Sequence, residues 1–409
     1  MRILVSTVGS RGDVQPMLAL ALELQGRGHQ LLFAAPPENQ AWVEGRDLRF
    51  HAVGVDLMKA VEGIYTHRVG LGTLTRFVRD RIAEQFDDLL PLADAFDLYL
   101  GGGLQLALPS VAEARQRPYA YTAFSPCLLR SSQHAPVFFA AQRLPRWLNR
   151  ILWAMYVGAG TRATRGMLGQ QRHRLGLPPT PDIYRYMFEP AALLLAFDPV
   201  LGPLPDDVEA RAVSTGFFFL DDDTPVPDAV SRFVAQGAAP LYVGQGSMWL
   251  RDAPAVNRVL LDVQQQLGCR LIVGRGRSGL GEGMHGEGVL VVDAVNHAAL
   301  FPRCAAVVHH GGAGTTATAL RAGVPQLVTP HSADQFYWAR RVHELGLGPA
   351  PLAFGSLSTR PLVARLRAVL EDGACADRAR VESERLAQTS GTAVAARALE
   401  TLVEGGTWG

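Results

Sequence analysis

The 409-residue chain contains few cysteines and few charged residues, and no long apolar run. Its four cysteines are far apart, with no CxxC spacing, which argues against a structural zinc site or a disulfide framework and fits a reducing cytoplasm. The formal net charge is only +1, so no global field favours nucleic acid or anionic membranes. No apolar run reaches the roughly 18 residues of a membrane span, and the N-terminus lacks the pattern of a signal peptide. We expect a cytoplasmic protein with no nucleic-acid partner and at most peripheral membrane contact.

Short strands alternate with helices in both halves of the chain. In the first half, residues 3–7 and 30–34 are predicted strands, residues 8–15 a loop, and residues 16–26 a helix. An acidic, proline-containing linker at residues 220–227 precedes a second series of strands and helices, which begins near residue 240. This alternation predicts an α/β protein in which two domains each contain a parallel sheet with right-handed crossovers.

One segment carries the strongest functional signal. Residues 305–308 form an apolar strand, and a glycine-rich turn and a helix follow it. Glycines let the backbone approach an anion, and the N–H groups and dipole of the helix N-terminus face it. A second strand follows, with the polar pair Asp334-Gln335 just beyond it, where both side chains could contact sugar hydroxyls. The order predicts a nucleotide-sugar site, whose phosphate cradle comprises His309, Gly311, Gly312, Gly314 and Thr315.

The sequences HHGGAGT and AGVPQLVTPHSADQ in this segment resemble the donor-binding signature of nucleotide-sugar glycosyltransferases of the GT-B fold. The resemblance is to family 1, and within it to the type that glycosylates natural products, sterols and lipids. It implies two Rossmann-like βα domains that face a central cleft. Residues 1–220 would bind the acceptor and residues 238–390 the donor, while a C-terminal helix within residues 391–409 would pack back on the first domain.

The loop after the first strand holds the candidate base. Gly9 and Gly12 permit close backbone approach, and Ser10 and Arg11 are donors suited to a diphosphate. Asp13 is the only carboxylate in this loop, and its position alone fits helix capping as well as catalysis. The stretch GSRGDVQPML is similar to the opening of the sterol and glycopeptide-type enzymes, and this resemblance implies that Asp13 is the general base.

Further donor contacts are expected from loops that follow strands of the second half. The resemblance implies that Ser247 contacts the diphosphate and Val295 the edge of the base, and Arg275 lies beside them after another strand. We expect no cofactor and no metal, because a helix dipole, His309 and backbone N–H groups would stabilise the leaving diphosphate. The acidic run 221–223 lies in the linker and is interpreted as a solvated loop.

Acceptor contacts are expected from the first half. Residues 143–165 are basic and aromatic at roughly helical spacing, which fits a packed helix, the wall of an apolar acceptor cleft or a membrane-contacting surface. The candidate acceptor-binding residues are Phe124, Phe138, Trp147 and Met187.

The resemblance implies an inverting glycosyltransferase that uses a UDP- or dTDP-sugar, UDP-glucose above all. Its partners would be that nucleotide sugar and an apolar hydroxylated small molecule such as a polyphenol or flavonoid, a sterol, a polyketide or a lipid. Two alternatives stay open: a nucleotide-sugar 2-epimerase of the same fold, and a non-catalytic nucleotide-sugar-binding accessory subunit.

Overall fold

The computed structural model describes residues 1–56, 71–189, 192–208, 211–250, 252–277, 279–371 and 373–406, with the backbone alone for residues 71–75. Two separate sheets, of seven and five strands, organise the chain, and every strand pairing in both is parallel. The structure therefore confirms the α/β prediction.

The seven-stranded sheet has the order β3-β2-β1-β4-β5-β6-β7. Its strands are β1 (Arg2–Val8), β2 (Gln30–Ala35), β3 (Arg49–Ala52), β4 (Leu98–Gly103), β5 (Tyr119–Ala123), β6 (Ala192–Leu195) and β7 (Ala212–Ser214). The helices described in this half are α1 (Arg11–Gly26), α2 (Gln40–Glu44), α3 (Leu71–Leu89), α4 (Leu108–Ala114), α5 (Arg146–Arg174) and α6 (Ile183–Phe188).

The five-stranded sheet has the order β10-β9-β8-β11-β12. Its strands are β8 (Leu241–Gly244), β9 (Leu271–Gly274), β10 (Val289–Val292), β11 (Ala306–His309) and β12 (Gln326–Val328). The helices are α7 (Asp228–Ala235), α8 (Ala253–Leu267), α9 (His297–Leu300), α10 (Ala313–Arg321), α11 (Gln335–Glu344), α12 (Thr359–Glu371), α13 (Gly373–Leu386) and α14 (Gly391–Val403).

The first helix begins earlier than the sequence predicts. We placed residues 8–15 in a loop and started the helix at Pro16, but α1 begins at Arg11 and Pro16 lies inside it. Ser10 is the N-cap, and its hydroxyl accepts from the backbone N–H of Gly12. Asp13 closes a capping box by accepting from the backbone N–H of Ser10. The capping box therefore sets the start of the helix, and Pro16 does not.

The two halves pack against each other through apolar and ionic contacts. Trp338 of α11 is fully buried, with its ring 6.2 Å from that of Phe217, which follows the first sheet. Arg385 of α13 makes a bidentate ion pair with the buried Asp198, at 2.7 and 2.9 Å. The last helix, α14, shares a hydrophobic core with α1, and its Glu400 accepts from Arg27 at 3.3 Å.

Candidate active site

The Asp13 carboxyl lies at the carboxyl end of β1, where ligands bind in open α/β sheets. Its Oδ2 accepts hydrogen bonds from the backbone N–H of Ser10 at 2.8 Å and from the Ser10 hydroxyl at 3.1 Å. Among the described residues, Oδ1 has no hydrogen-bond partner. Capping therefore occupies one carboxyl oxygen and leaves the other for a substrate.

Two glycines form a narrow slot around this carboxyl. A Cβ added at Gly9 would lie 2.3 Å from Asp13 Oδ2, far inside normal contact. Gly103, at the end of β4, has a φ of 60°, and a Cβ there would lie 3.4 Å from the Cβ of Asp13 and 2.5 Å from the carbonyl oxygen of Val8. Burial in the slot raises the pKa of Asp13, and the hydrogen bonds from Ser10 offset part of that effect.

The predicted phosphate cradle lies between β11 and α10. Gly311 has a φ of 89°, in the left-handed region that glycine adopts readily, and Gly312 is the N-cap of α10. No side chain caps α10, whereas Ser10, Asp252, Asn296 and Ser390 cap other helices. The first N–H groups of α10, including that of Thr315, are thus available to an anion, as the sequence suggested.

The predicted role of the His309 imidazole is wrong. This side chain is fully buried, its Nδ1 accepts from the backbone N–H of Gly311 at 3.1 Å, and its Nε2 donates to Gln326 Oε1 at 2.9 Å. Burial lowers the pKa of His309 to about 3, so the ring is neutral and both nitrogens are occupied. His309 holds the turn in shape and has no donor left for a diphosphate.

The adjacent His310 was missed by the sequence analysis. Its ring lies between two glycine turns: a Cβ at Gly246 would be 2.7 Å from its Cε1, and a Cβ at Gly312 2.5 Å from its Nε2. Its Nδ1 is buried and has no hydrogen-bond partner among the described residues. Burial lowers the pKa of His310 to about 4, so the ring is neutral at pH 7. The second histidine of the pair therefore lies beside the predicted phosphate cradle with a ring nitrogen that has no partner among the described residues.

Asp334 and Gln335 differ in what they offer a ligand. The Gln335 amide oxygen accepts from the backbone N–H groups of His331 at 2.8 Å and Ser332 at 3.1 Å, so it shapes its own loop rather than accepting from a sugar. Asp334 Oδ2 accepts from the indole N–H of Trp338 at 3.0 Å. Burial, with the nearby charge of Asp13, raises the pKa of Asp334 to about 6. The carboxyls of Asp13 and Asp334, one from each half, therefore lie near each other.

Four other donor candidates lie around this cleft. Ser247 is partly exposed in the turn after β8, and Val295 packs against a core cluster of the second half. Arg275 is exposed after β9, with its Nε 3.3 Å from Asp293. Arg11 lies over the Trp42 ring at 4.7 Å, and its charge adds to the effect of burial, which lowers the pKa of His297 to about 4. Arg11 thus extends from the first half towards the second.

Comparisons with known proteins agree with this geometry. Residues 3–98 match the glycosyltransferase family 28 N-terminal domain, and residues 260–402 match the erythromycin biosynthesis protein CIII-like C-terminal domain. Glycosyltransferase GtfE of Amycolatopsis orientalis is 36% identical over 398 residues, which cover 92% of this chain and 96% of GtfE. The chain belongs to the GT-B glycosyltransferases.

Further relatives support the same assignment. The vancomycin aglycone glucosyltransferase of A. orientalis is 34% identical over 356 residues, which cover 86% of each chain. A crystal structure of the glycotransferase of kitacinnamycin has a TM-score of 0.76 at 22% identity and covers 98% of each chain. The predicted GT-B architecture is confirmed, and family membership favours sugar transfer over the 2-epimerase and accessory-subunit alternatives.

The acceptor candidates of the glycosyltransferase occupy different environments. Phe124 is 9% exposed and packs in the core between the first sheet and α1, so its contact with an acceptor stays a prediction. Phe138 and Trp147 are exposed, at 68% and 62%, and Met187 is partly buried. Aromatic residue types predict apolar walls for the acceptor cleft, but the sequence does not show which of these rings pack in the core instead.

A row of aromatic rings links the surface of the glycosyltransferase to its candidate base. Successive centroids are 4.8 to 6.1 Å apart in the order Phe138, Tyr156, Trp153, Tyr184, Phe188, Tyr121. The Tyr121 hydroxyl donates to the carbonyl oxygen of Gly103 at 2.8 Å, beside the Asp13 slot. Burial raises the pKa of Tyr121, and the charge of Asp13 adds to this effect. The row therefore ends at Gly103, one wall of the Asp13 slot.

Two further features are absent from the part of the chain that the structure describes. No group of three or more His, Cys, Asp or Glu side chains there is arranged to hold a metal ion. Within the same residues, no helix combines the length and apolar character that crossing a membrane requires.

Proposed function

We propose that this enzyme transfers glucose from UDP-glucose, with inversion, to a hydroxyl of an apolar small molecule, and that Asp13 is the general base. The observation that carries the proposal is the placement of the Asp13 carboxyl in a tight slot at the end of β1, near Asp334 of the donor half. A base from one half and a sugar-binding carboxyl from the other suit a reaction between two substrates in the cleft.

Asp13 would remove the proton of the acceptor hydroxyl. Ser10 fixes Oδ2, so Oδ1 is the oxygen that accepts this proton. A carboxylate with an ordinary pKa near 3.9 is a weak base, and burial makes this one stronger by raising its pKa. The carboxyl can still be ionised at neutral pH because the Ser10 hydrogen bonds favour the charged form.

The deprotonated oxygen would attack the anomeric carbon on the face opposite the diphosphate. An α-linked donor then gives a β-glycoside. Negative charge that develops on the leaving diphosphate would be met by the uncapped N-terminus of α10 and by donors from His310 and Ser247. This arrangement stabilises the leaving group without a metal or a cofactor.

Asp334 would accept hydrogen bonds from hydroxyls of the sugar. Val295 and Arg275, at the same edge of the second sheet, would face the base and ribose side of the nucleotide. Similarity to the vancomycin aglycone glucosyltransferase supports glucose as the sugar. A dTDP-linked sugar is the alternative donor.

The acceptor would contact the partly buried rings of the aromatic row, Tyr156, Tyr184 and Phe188, since Trp153 and Tyr121 are themselves buried. A row of rings favours flat or extended apolar molecules, such as polyphenols, sterols, polyketides and lipids, through stacking and apolar burial. The relative that acts on the vancomycin aglycone supports a natural-product acceptor.

A two-part experiment tests the proposal. The enzyme is incubated with UDP-glucose or dTDP-glucose and a panel of hydroxylated apolar acceptors, products are found by mass spectrometry, and proton NMR gives the anomeric configuration. We expect a β-glucoside. An α-glucoside would overturn inversion, and an epimerised donor without any acceptor would overturn transfer.

Asp13→Asn is the matched variant, because it keeps the shape of the side chain and one acceptor oxygen for Ser10. A positioned general base contributes typically 10²–10⁴-fold, so kcat should fall by about that factor while UDP affinity is retained. Near-wild-type turnover in this variant would remove Asp13 as the base.

A further inference from the structure

The exposed face of α5 has an unusual composition. Residues 114–181 contain ten arginines and no aspartate or glutamate, although the whole chain carries a net charge of only +1. Six of these arginines lie in α5 itself. The charge of the enzyme is therefore balanced overall but strongly positive in this region.

Three large apolar side chains on successive turns of α5 point to solvent. Trp147, Ile151 and Met155 are 62%, 47% and 64% exposed, and their spacing of four residues places them on one side of the helix. Phe138 lies beside this stripe, with its ring 6.1 Å from that of Tyr156. Such a contiguous apolar stripe on a soluble protein commonly marks an interaction surface.

Arginines flank the stripe without strong acidic partners. Arg146 is 3.7 Å from Asp206, but both side chains are largely exposed, so the pair holds neither charge firmly. Arg150, Arg162 and Arg165 are exposed and form no ion pair within the described part of the chain. Their charges are available to an anionic partner.

From the charge and the stripe together, we propose that the exposed face of α5, centred on Trp147, Ile151 and Met155 with flanking arginines, docks on an anionic lipid surface. Aromatic and aliphatic side chains beside arginines on one helix are the combination that enters the headgroup region of a bilayer. A second copy of the chain fits poorly, because it would bring two arginine-rich faces together. Nucleic acid would use the charge but not the stripe.

The exposed face of α5 lies at the outer end of the aromatic row, so docking would bring the lipid surface close to the path of the acceptor. The aromatic row from Phe138 to Tyr121 starts beside the stripe and ends at the Asp13 slot. An apolar acceptor dissolved in the lipid could enter the cleft from the docked side without crossing water. This consequence rests on the proposed function, whereas the docking itself does not.

Vesicle flotation of the full chain tests the proposal. Phosphatidylcholine vesicles with and without about 30% phosphatidylglycerol serve as probes, at low salt and at about 0.5 M salt. We expect flotation only with the anionic vesicles, and its loss at high salt, since salt screens exposed charges. Absence of flotation under all conditions would overturn the proposal.

Two double variants separate the apolar and the charged contributions. Ile151→Gln with Met155→Gln and, separately, Arg150→Gln with Arg162→Gln should each lower vesicle affinity by about tenfold. Val381→Gln with Arg367→Gln is the control, because both are exposed residues on helices of the other half, and it should bind like wild type. Equal binding by all variants would refute the assignment to this face.

Activity on a water-soluble acceptor distinguishes the two proposals. It should be unchanged in the α5 variants, and its absence in wild type would count against the proposed function while leaving the flotation result intact. Selective capture of an acidic protein or of RNA by this face, without flotation, would refute the lipid proposal.

Discussion

Replacing Gly9 with alanine should displace the catalytic carboxyl without changing any group that contacts the substrate. The added Cβ would lie 2.3 Å from Asp13 Oδ2 and 2.4 Å from its Cγ, whereas carbon–oxygen contacts are ordinary only beyond about 3.4 Å. The φ of Gly9 lies outside the left-handed region, so alanine brings steric overlap and little backbone strain. The carboxyl must move by about 1 Å to relieve the overlap.

A displacement of that size has a large kinetic effect. A misplacement of about 1 Å costs roughly 10²-fold in rate when the geometry of attack is lost. We therefore expect kcat of Gly9→Ala to fall by about 10²-fold at saturating substrates, with UDP affinity unchanged by calorimetry. The donor contacts proposed for His310, Ser247 and Asp334 lie in the other half of the enzyme, which is why binding and turnover should separate.

Gly12→Ala is the matched control, three residues away in the same segment. Its added Cβ would meet only the Ser10 hydroxyl, at an ordinary 3.4 Å, and alanine favours the helix. Its kcat should stay within about twofold of wild type. If Gly9→Ala also kept wild-type turnover, or if both variants lost it equally, the slot would not be what positions Asp13.

Four further predictions concern the donor side. His310→Ala should weaken UDP binding by about 10- to 100-fold in calorimetry, since a hydrogen bond to a charged group contributes roughly 1.5–3 kcal/mol. His309→Ala should mainly lower Tm, because both ring nitrogens of His309 hold the turn. A UDP affinity of His310→Ala equal to that of wild type would contradict the proposed role of His310. The profile of kcat/KM against pH should fall on the acid side near pH 6, where Asp334 gains its proton and loses the charge that would accept from sugar hydroxyls. Folding raises the pKa of Asp334, so the contribution of its protonated form to stability is fully present below about pH 4 and is lost as the pH rises through about 6. Asp334→Asn should therefore raise Tm at pH 7.5 but not at pH 4. A constant difference in Tm between variant and wild type across this pH range would refute the raised pKa of Asp334. Activity should survive EDTA, and complete loss that magnesium or manganese restores would contradict the metal-independent proposal.

The parallel sheets and the phosphate cradle were accessible from the sequence because they depend on local patterns. The apolar run before HHGGAGT forms β11, and the glycine turn and helix follow it as expected. Asp334 follows β12 and lies near Asp13, although no local pattern fixes that contact. It arises because the carboxyl ends of two separate sheets face each other, which is a property of the fold.

The sequence errors arose where orientation, rather than residue type, decides the role. His309 and His310 are chemically identical, but His309 ends β11 and points into the core, while His310 begins the turn and faces the glycines. The start of α1 was misplaced because Pro16 was read as the first turn, although Ser10 and Asp13 already fit a capping box.

The capping box explains how a buried carboxyl can serve as a base at neutral pH. Burial alone would raise the pKa of Asp13 and hold it protonated, but the hydrogen bonds from Ser10 favour the charged form and offset part of that effect. The same hydrogen bonds fix Oδ2 and so orient Oδ1 towards the substrate. The charge of Asp13 opposes ionisation of Asp334, and sugar hydroxyls that donate to Asp334 would favour its charged form. Binding of the donor would thus favour the ionised form of Asp334.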